Sequence, residues 1–206
     1  MNYRVTLIAI TGPLYSLPRG PNYNLIITHL NLADANNIME MAQILRLQRQ
    51  ISQIDVAVAN TGICDHHGCL VEMADHGLQI HLEVNTFGPL RLFRALFPFL
   101  QAKLASLTRL EQNKASLTNA YGMSKVAGNY MIHRLHFEHE DLITFAVDPG
   151  FIQTDMGNRG ARAKGLELAT LTVDESVDGT THQTNQATKS TTSGQFLNYR
   201  GEHLLW

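Results

Sequence analysis

Tyr121 and Lys125 stand four residues apart in the chain. If this segment is helical, the spacing puts the phenol and the ammonium group side by side on one face of the helix. A nearby positive charge favours the phenolate, so we expect the pKa of Tyr121 to fall below its reference of about 10. A tyrosine tuned in this way can exchange a proton with a reacting oxygen. The plainer alternative is a buried aromatic at a helix start and a solvated surface lysine.

A second group of candidate residues, Asn60, Thr61 and Gly62, follows the apolar run of residues 54–59. Open parallel sheets bind ligands beyond the carboxyl ends of their strands, which is where these residues would stand. Gly62 has no side chain, so the backbone can approach a ligand closely there. The alternative interpretation is an ordinary turn from a strand into a loop.

Apolar runs and turn residues predict the elements that would position these groups. Strands are expected at 5–10, 25–30, 54–59, 142–147 and 196–199, and helices after Asp34, at about 70–100 and at about 119–138. Strands that are apolar along their length and alternate with helices are typical of a parallel sheet covered on both faces. The sequence therefore predicts a single α/β domain over residues 1–206, a Rossmann-like three-layer fold.

Four local patterns occur in a set order along the chain. They are Asn-Thr-Gly at the end of the run 54–62, Val-Asn-Thr-Phe-Gly-Pro at 84–89, Tyr-Gly-Met-Ser-Lys at 121–125, and Pro-Gly-Phe-Ile-Gln-Thr at 149–154. Tyr-x-x-x-Lys alone is weak, since it occurs by chance in many proteins. Four patterns in order, each at a predicted strand end or helix, resemble the short-chain dehydrogenase/reductase family over residues 5–206.

The resemblance implies a role for each matching residue. Tyr121 would donate a proton to a carbonyl oxygen as a hydride arrives from NAD(P)H, Lys125 would hold the nicotinamide ribose, and Asn85 would support a proton-relay water. The residues expected to bind the cofactor are Asn31, Asn60, Gly62, Tyr121, Lys125, Ile152 and Thr154. For Ile152 and Thr154 the alternative is that they are simply loop residues. For Asn31 it is a plain turn residue, although an Asn carbonyl oxygen can accept from the adenine amino group.

Within the family, the stretch 147–157 and the C-terminal Gly-x-Phe and Trp206 are most similar to fungal norsolorinic acid ketoreductase-type enzymes. This likeness implies reduction of a polyketide-like ketone in secondary metabolism, with NADP as the cofactor and NAD as the alternative. Arg19 is a loose candidate for choosing between the two nucleotides. The family is commonly oligomeric through the helices that carry Asn85 and Tyr121, so a homo-oligomer is expected.

The N-terminal part departs from the family pattern. Thr11-Gly12 is the candidate for the glycine-rich phosphate turn, but Ser16 and Pro18 stand where further glycines belong. The 49 residues from Thr11 to Asn60 are one strand–helix unit short, since such a unit takes about 30 residues. The spacing predicts that residues 5–10 form the family's second strand. The first strand, its glycine turn and its helix, whose N-terminus would hold the pyrophosphate, would then be absent.

A second departure precedes Tyr121, where the family places a strand ending in a catalytic serine. We expect no strand between residues 96 and 106, so a central strand would be missing and Ala102 would occupy the serine position. Ser106 and Thr108 are weaker substitutes. Loss of such a donor typically costs about a hundred- to a thousand-fold in rate. The alternative function is therefore a truncated, non-catalytic relative that lacks competent cofactor binding.

Composition and the remaining motifs argue against several other classes of function. Sixteen basic and eighteen acidic residues give a net charge near −2 with scattered cations, which argues against nucleic-acid or anionic-membrane partners. Two cysteines without a secretory leader point to the cytoplasm. The segment 64–69 (Cys-Asp-His-His-Gly-Cys) is too tight for an ordinary tetrahedral metal site, so none is expected. His133, His136 and His139 are expected at a partly packed helix end.

Overall fold

The computed structural model describes residues 6–9, 26, 28–65, 68–109 and 117–205. Within these residues a five-stranded parallel sheet runs through the molecule, with its strands in sequence order. The strands are β1 (Thr6–Ala9), β2 (Ile54–Ala59), β3 (Leu100–Leu107), β4 (Ile143–Asp148) and β5 (Phe196–Asn198). Parallel neighbours require crossover connections, and helices supply most of them.

Of the described helices, those after Asp34 and at 119–138 begin and end close to where the sequence predicts, whereas those at 155–163 and 173–186 were not predicted. The helices are α1 (Ala35–Gln43), α2 (Asp75–Leu82), α3 (Gly88–Leu96), α4 (Asn119–Glu138), α5 (Asp155–Ala163) and α6 (Val173–Gln186). The Asp34 side chain caps α1 by accepting from two backbone N–H groups, as expected. The single helix expected at 70–100 is instead a 3₁₀ turn (Leu70–Glu72), α2, a π-helical turn (Glu83–Phe87), α3 and a second 3₁₀ turn (Phe97–Phe99).

Both faces of the sheet are buried, as the apolar strands predict. On one face Ala57, Leu104 and Ala146 pack with residues of α1, α3 and α4 in the larger core. The neighbouring positions Ala105 and Phe145 point to the other face, where they pack with Ala187 at the end of α6. Alternation along each strand thus gives a helix–sheet–helix arrangement, which confirms the Rossmann-like α/β fold.

The expectation that a central strand is missing is wrong. Strand β3 lies between β2 and β4 and pairs with both along most of its length. Its first half is polar because Gln101 is exposed and Lys103 reaches across to the end of α6. The Lys103 ammonium group donates to the carbonyl oxygens of Thr184 and Asn185 at 3.0 and 2.9 Å. These contacts explain why the strand does not read as an apolar run.

The strand expected at 25–30 is also not found, because residues 26 and 28–30 are irregular. Strand β1 pairs directly with β2, in the register Thr6 with Val56. In the doubly wound strand order the neighbour of the fourth strand is the first. The sheet therefore does not agree with the interpretation of residues 5–10 as a second strand. Thr11-Gly12, Ser16, Pro18 and Arg19 lie outside the described residues.

No helix in the described part of the chain is both long and apolar enough to cross a membrane.

Candidate active site

A cavity of about 520 Å³ opens at the carboxyl ends of β2, β3 and β4. This is the edge at which open parallel sheets bind ligands. The sequence-predicted residues that line it are Asn60, Gly62, Tyr121, Lys125, Ile152 and Thr154. Asn31 and Asn85 are not part of its wall. The structure thus brings six of the eight predicted site residues to one cavity.

Helix α4 carries Tyr121 and Lys125 to this cavity. Its first turn is fixed to the loop after β2, because the Asn119 side-chain amide donates to the Gly68 carbonyl at 2.8 Å. Thr118 and Gly68 also form a short parallel bridge. The Lys125 nitrogen lies 5.7 Å from the centre of the Tyr121 ring, as the spacing of four residues predicts.

Lys125 is buried, and its ammonium group donates to the Leu107 carbonyl oxygen at 3.0 Å. Burial lowers the pKa of this lysine to about 8, while the neighbouring Cys64 opposes the shift. The lysine is thus anchored to the end of β3. A large part of its population is neutral once the pH passes 8.

The pKa of Tyr121 is raised above its usual value, so the expectation of a lowered pKa is wrong. Burial of the phenol is the largest cause, and the charges of Cys64 and Asp148 act in the same direction. The Arg109 side chain and a hydrogen bond from its backbone oppose the shift without overcoming it. The Lys125 ammonium group makes its hydrogen bond to the Leu107 carbonyl oxygen. Tyr121 is therefore a neutral phenol near pH 7, the form that can donate a proton.

Asn85 lies in the π-helical turn between α2 and α3 and is buried. Its amide oxygen accepts from the Ile63 N–H at 2.8 Å, and its amide nitrogen donates to the Ile63 carbonyl at 3.0 Å and to Ser124 Oγ at 2.9 Å. Ser124 in turn donates to the Tyr121 carbonyl at 2.7 Å. Asn85 therefore ties the loop after β2 to the helix turn that carries Tyr121.

Gly62 packs against the catalytic candidates as well as lining the cavity. A Cβ atom at this residue would lie 3.1 Å from Lys125 Nζ and 3.2 Å from Asn85 Oδ1. Such contacts are tighter than ordinary van der Waals packing. A side chain at this residue would push its own neighbours aside by a few tenths of an ångström, whereas the sequence interpretation explained the glycine by a ligand alone.

Ile152 and Thr154 line the cavity from the loop that follows β4. Ile152 pairs with Leu171 in an isolated bridge, and Thr154 caps α5 by accepting from the Gly157 N–H at 3.1 Å. A Cβ atom at Gly157 would lie only 1.9 Å from the Ile152 carbonyl oxygen. The loop after β4 is therefore folded tightly onto α5, which holds both residues at the cavity.

Asn31 is exposed at the turn that precedes α1. Its side-chain oxygen accepts from the Ala33 N–H at 3.0 Å, and its own N–H donates to Asn37 Oδ1 at 2.6 Å. These contacts match the alternative interpretation of a turn residue. The structure does not bring Asn31 to the cavity.

Thr108 is the hydroxyl residue that reaches the cavity from the end of β3. It is 2% exposed, and its Oγ1 has no hydrogen-bond partner among the described residues. Ala102 lies in the first half of the strand and Ser106 is buried within it, and neither lines the cavity. The interpretation that Ala102 occupies the serine position fails because the strand runs on to Leu107.

Sequence reasoning did not single out the charged and aromatic wall formed by Arg109, Phe151 and Lys164. Arg109 follows Thr108 and lies 3.5 Å from the Asp148 carboxylate. Phe151 stands within a recognised motif, but nothing in the sequence indicates that cations flank it. Arg109 is hard to identify because its position depends on where β3 ends.

The other candidate clusters have structural roles or lie partly outside the described residues. Cys64 is buried and Cys69 exposed, without a disulfide, while His66 and His67 are not described. Within the described ranges no group of three metal-ligating side chains comes together. His133 and His136 hold the chain at Gly194 and Ser193, and His139 packs beside Phe97.

Comparison with known proteins gives the same family as the motifs. The family model described as enoyl-(acyl carrier protein) reductase matches residues 20–189. Norsolorinic acid ketoreductase of Aspergillus parasiticus is 34% identical across 95% of this chain and 77% of its own length. The enzyme of the same name from Emericella nidulans is 35% identical across 95% and 79%.

A solved structure shows the same fold at lower identity. The NADPH-bound carbonyl reductase from chicken fatty liver superposes with a TM-score of 0.77 and 23% identity, over 89% of this chain and 78% of that one. The motifs, the sheet and the fungal relatives agree, and the chain belongs to the short-chain dehydrogenase/reductase family of oxidoreductases.

Proposed function

We propose that this protein is an NADPH-dependent ketoreductase that transfers a hydride to a ketone in fungal-type secondary metabolism. The observation that carries the proposal is the meeting of Tyr121, Lys125 and the unpartnered Thr108 hydroxyl at one cavity. The relatives that share a third of its residues are named as norsolorinic acid ketoreductases, which supports a polyketide-like ketone as substrate.

The residues present fit the nicotinamide end of the cofactor. Lys125 offers a buried ammonium group, and Asn60 and Gly62 border the cavity on the side of β2. Ile152 and Thr154 border it on the side of β4. These residues, together with Tyr121, would hold the nicotinamide and its ribose. When bound, the reduced nicotinamide supplies the hydride.

The chain itself supplies the proton and the polarisation of the carbonyl. Tyr121 donates its phenolic proton to the substrate oxygen, a role for which its raised pKa keeps it protonated. Thr108 Oγ1 is buried without a partner among the described residues, so it can donate to the same oxygen without giving up an existing bond. Asn85 acts as a positioning residue, because it holds Ser124 and through it the Tyr121 turn.

NADP is favoured over NAD by the neighbouring structures. The chicken carbonyl reductase holds NADPH, and short-chain dehydrogenases from Burkholderia multivorans and Burkholderia cenocepacia hold NADP. NAD is the alternative, to be decided by comparing the two nucleotides.

The decisive experiment is the melting temperature of the purified chain with millimolar NADPH and, separately, NADH. A ligand at a hundred times its Kd stabilises the native state by about 2.7 kcal/mol, which gives a clear shift. We expect a larger shift with NADPH, and then turnover of aromatic ketones that Tyr121→Phe abolishes. A cooperative, folded protein that shifts with neither nucleotide would instead be a non-catalytic relative without competent cofactor binding.

We also infer a cytoplasmic homo-oligomer. Cys64 and Cys69 form no disulfide, which fits a reducing compartment. Helix α4 exposes large apolar side chains at a spacing of three, four and seven residues, namely Met123, Val126, Tyr130 and Phe137. Such a stripe suits burial against a second copy. Light scattering should show a dimer or larger species, and Tyr130→Glu should shift it toward monomer.

A further inference from the structure

Two cations lie against one aromatic ring in the wall of the cavity. The Arg109 guanidinium carbon lies 5.3 Å from the centre of the Phe151 ring, and Lys164 Nζ lies 5.2 Å from the same centre. All three residues line the cavity that Tyr121 lines. Both distances are within the range in which a ring attracts a cation.

The surrounding backbone fixes this arrangement. Phe151 follows Gly150, whose φ of +87° and close contacts with Leu171 and Tyr199 favour glycine. Arg109 is oriented by Asp148, 3.5 Å away, and Lys164 ends helix α5. On the same helix a Cβ atom at Gly160 would lie 3.6 Å from the Phe151 ring, so the helix packs close beside it.

The charges of this wall do not match a neutral ligand. The remaining wall is largely apolar, and its apolar members include Leu107, Leu117, Ile152, Met156 and Ala163. Among the described residues that line the cavity, Asp155 is the one carboxylate, against Lys164, Lys125 and Arg109, the last of which also pairs with Asp148 behind the wall. Positive charges in a mostly apolar cleft raise the local concentration of anions and bind them strongly.

We propose that Arg109, Phe151 and Lys164 form a subsite for an acidic group, a carboxylate or an ionised phenol, carried by an aromatic ketone substrate. The inference rests on the proposed function and names the substrate class of that same site. Phe151 offers its ring to the flat body of the ligand, and the two cations hold the anion at its edge. A cofactor phosphate is the other source of an anion, and the experiment separates the two.

The test measures Kd values for a matched pair of ligands in the presence of saturating NADPH. The probes are 6-acetyl-2-naphthoate and its neutral carboxamide, which have nearly the same size and ring. We expect the wild-type protein to bind the carboxylate about tenfold or more tightly than the carboxamide, as a charge-assisted hydrogen bond allows. Lys164→Met should lower this ratio about threefold or more, because Arg109 alone then faces the anion, while Lys164→Arg should keep it.

Arg162→Met is the matched control, because Arg162 lies on the same helix, is exposed and does not line the cavity. It should leave the ratio unchanged. A wild-type ratio near one, no binding of either probe, or a ratio that survives Lys164→Met would overturn the subsite. A weaker Kd for NADPH in Lys164→Met with an unchanged ratio would also overturn it and assign the cation to the cofactor. Failure of the proposed function shows separately, as no melting shift with either nucleotide.

Discussion

Gly62 stands so close to the Lys125 ammonium group that a side chain there would meet it. A methyl group on Gly62 would be 3.1 Å from Lys125 Nζ and 3.2 Å from Asn85 Oδ1. Lys125 Nζ in turn donates to the Leu107 carbonyl at 3.0 Å, so the lysine is held between the ends of β2 and β3. The position of the ammonium group therefore depends on the absence of a side chain at a residue far away in the sequence.

Gly62→Ala should reduce function more than it reduces stability. The added methyl group must displace Lys125 or Asn85, so we expect a loss of about tenfold or more in NADPH affinity, as for a disturbed supporting contact. Titration of nucleotide binding measures the change. Gly122→Ala is the control, because a Cβ atom there meets nothing within 4 Å. It should keep the affinity and gain about 0.5–1 kcal/mol in helix stability. Equal effects of both substitutions on affinity would contradict the argument.

The pKa of Lys125 should appear in the pH dependence of NADPH binding. Burial lowers this pKa to about 8, so the cation that would hold the ribose is present below pH 8 and lost above it. We expect the Kd for NADPH to rise as the pH passes through about 8. Lys125→Met should bind NADPH weakly at every pH and should not show the rise in Kd near pH 8. A wild-type Kd that stays flat to about pH 10 would contradict the lowered pKa.

Stability offers an independent measurement of the same group. In the unfolded chain the lysine returns to its ordinary pKa of 10.5, so between pH 8 and 10.5 the unfolded state binds more protons than the folded one. The contribution of Lys125 to the free energy of unfolding therefore rises with pH across this window and is least favourable below it. Urea unfolding of the wild type and of Lys125→Met at about pH 7.5 and about pH 9.5 isolates this contribution as a difference between the two proteins.

Thr108 should matter for rate and not for folding. Its Oγ1 is buried and unpartnered among the described residues, so Thr108→Val removes an unsatisfied group and should be neutral or slightly stabilising. The same change removes a donor to the substrate oxygen and should lower kcat about a hundred- to a thousand-fold. Thr108→Ser keeps the hydroxyl and should retain most of the rate. Thermal unfolding and steady-state kinetics on the three proteins check the contrast, and an active Val variant would remove Thr108 from the mechanism.

Sequence patterns predicted the elements whose formation depends on residues that are close together in the chain. The cap at Asp34, strand β2 and helix α4 follow from apolar periodicity and turn residues, and the structure has them within one residue of the prediction. Tyr121 and Lys125 share a helix face for the same local reason. Strand β3 was not predicted because Lys103 within it donates a hydrogen bond to the carbonyl of Thr184, 81 residues further along the chain. No local sequence pattern reveals such a contact.

The parts of the site that could not be predicted depend on burial and on strand ends. The pKa of Tyr121 rises because the fold encloses the phenol, and a spacing of four residues carries no information about enclosure. Thr108 and Arg109 reach the cavity because β3 ends at Leu107. Once that strand is misplaced, Arg109 looks like part of an ordinary loop and Thr108 is only a weaker substitute for the serine.

Replacing Asn129 by leucine should stabilise the folded protein. Its side chain is 2% exposed, and neither its amide nitrogen nor its oxygen has a hydrogen-bond partner among the described residues. A buried polar group without a partner costs about 1–3 kcal/mol, so Asn129→Leu should raise the free energy of unfolding. Asn85→Leu is the matched contrast, because Asn85 is equally buried but makes three hydrogen bonds. Denaturant unfolding should move the two variants in opposite directions, and a destabilised Asn129→Leu would show that the amide has a structural role.

Lys189 closes the far end of α4, and its loss should affect stability without affecting chemistry. Its ammonium group donates to the carbonyl oxygens of His136, His139 and Leu142 at 2.9, 2.8 and 3.1 Å, and so ties the last turn of the helix to the loop that leads into β4. Lys189→Met should cost about 1–3 kcal/mol in the free energy of unfolding. Helix α4 runs about 20 Å from Lys125 to His139, so kcat of the folded protein should stay unchanged.

Arg134→Met is the control for Lys189, because the pairing of Arg134 with Glu138 at 3.4 Å is exposed and should be worth less than about 0.5 kcal/mol. Urea unfolding of the wild type and the two variants, with kcat measured well below the transition, separates the two effects. Equal stability of the Lys189→Met and Arg134→Met proteins would show that solvent replaces the lysine at these carbonyls. A fall in kcat for Lys189→Met alone would show instead that the end of α4 is coupled to Tyr121, because the helix moves as one rigid body.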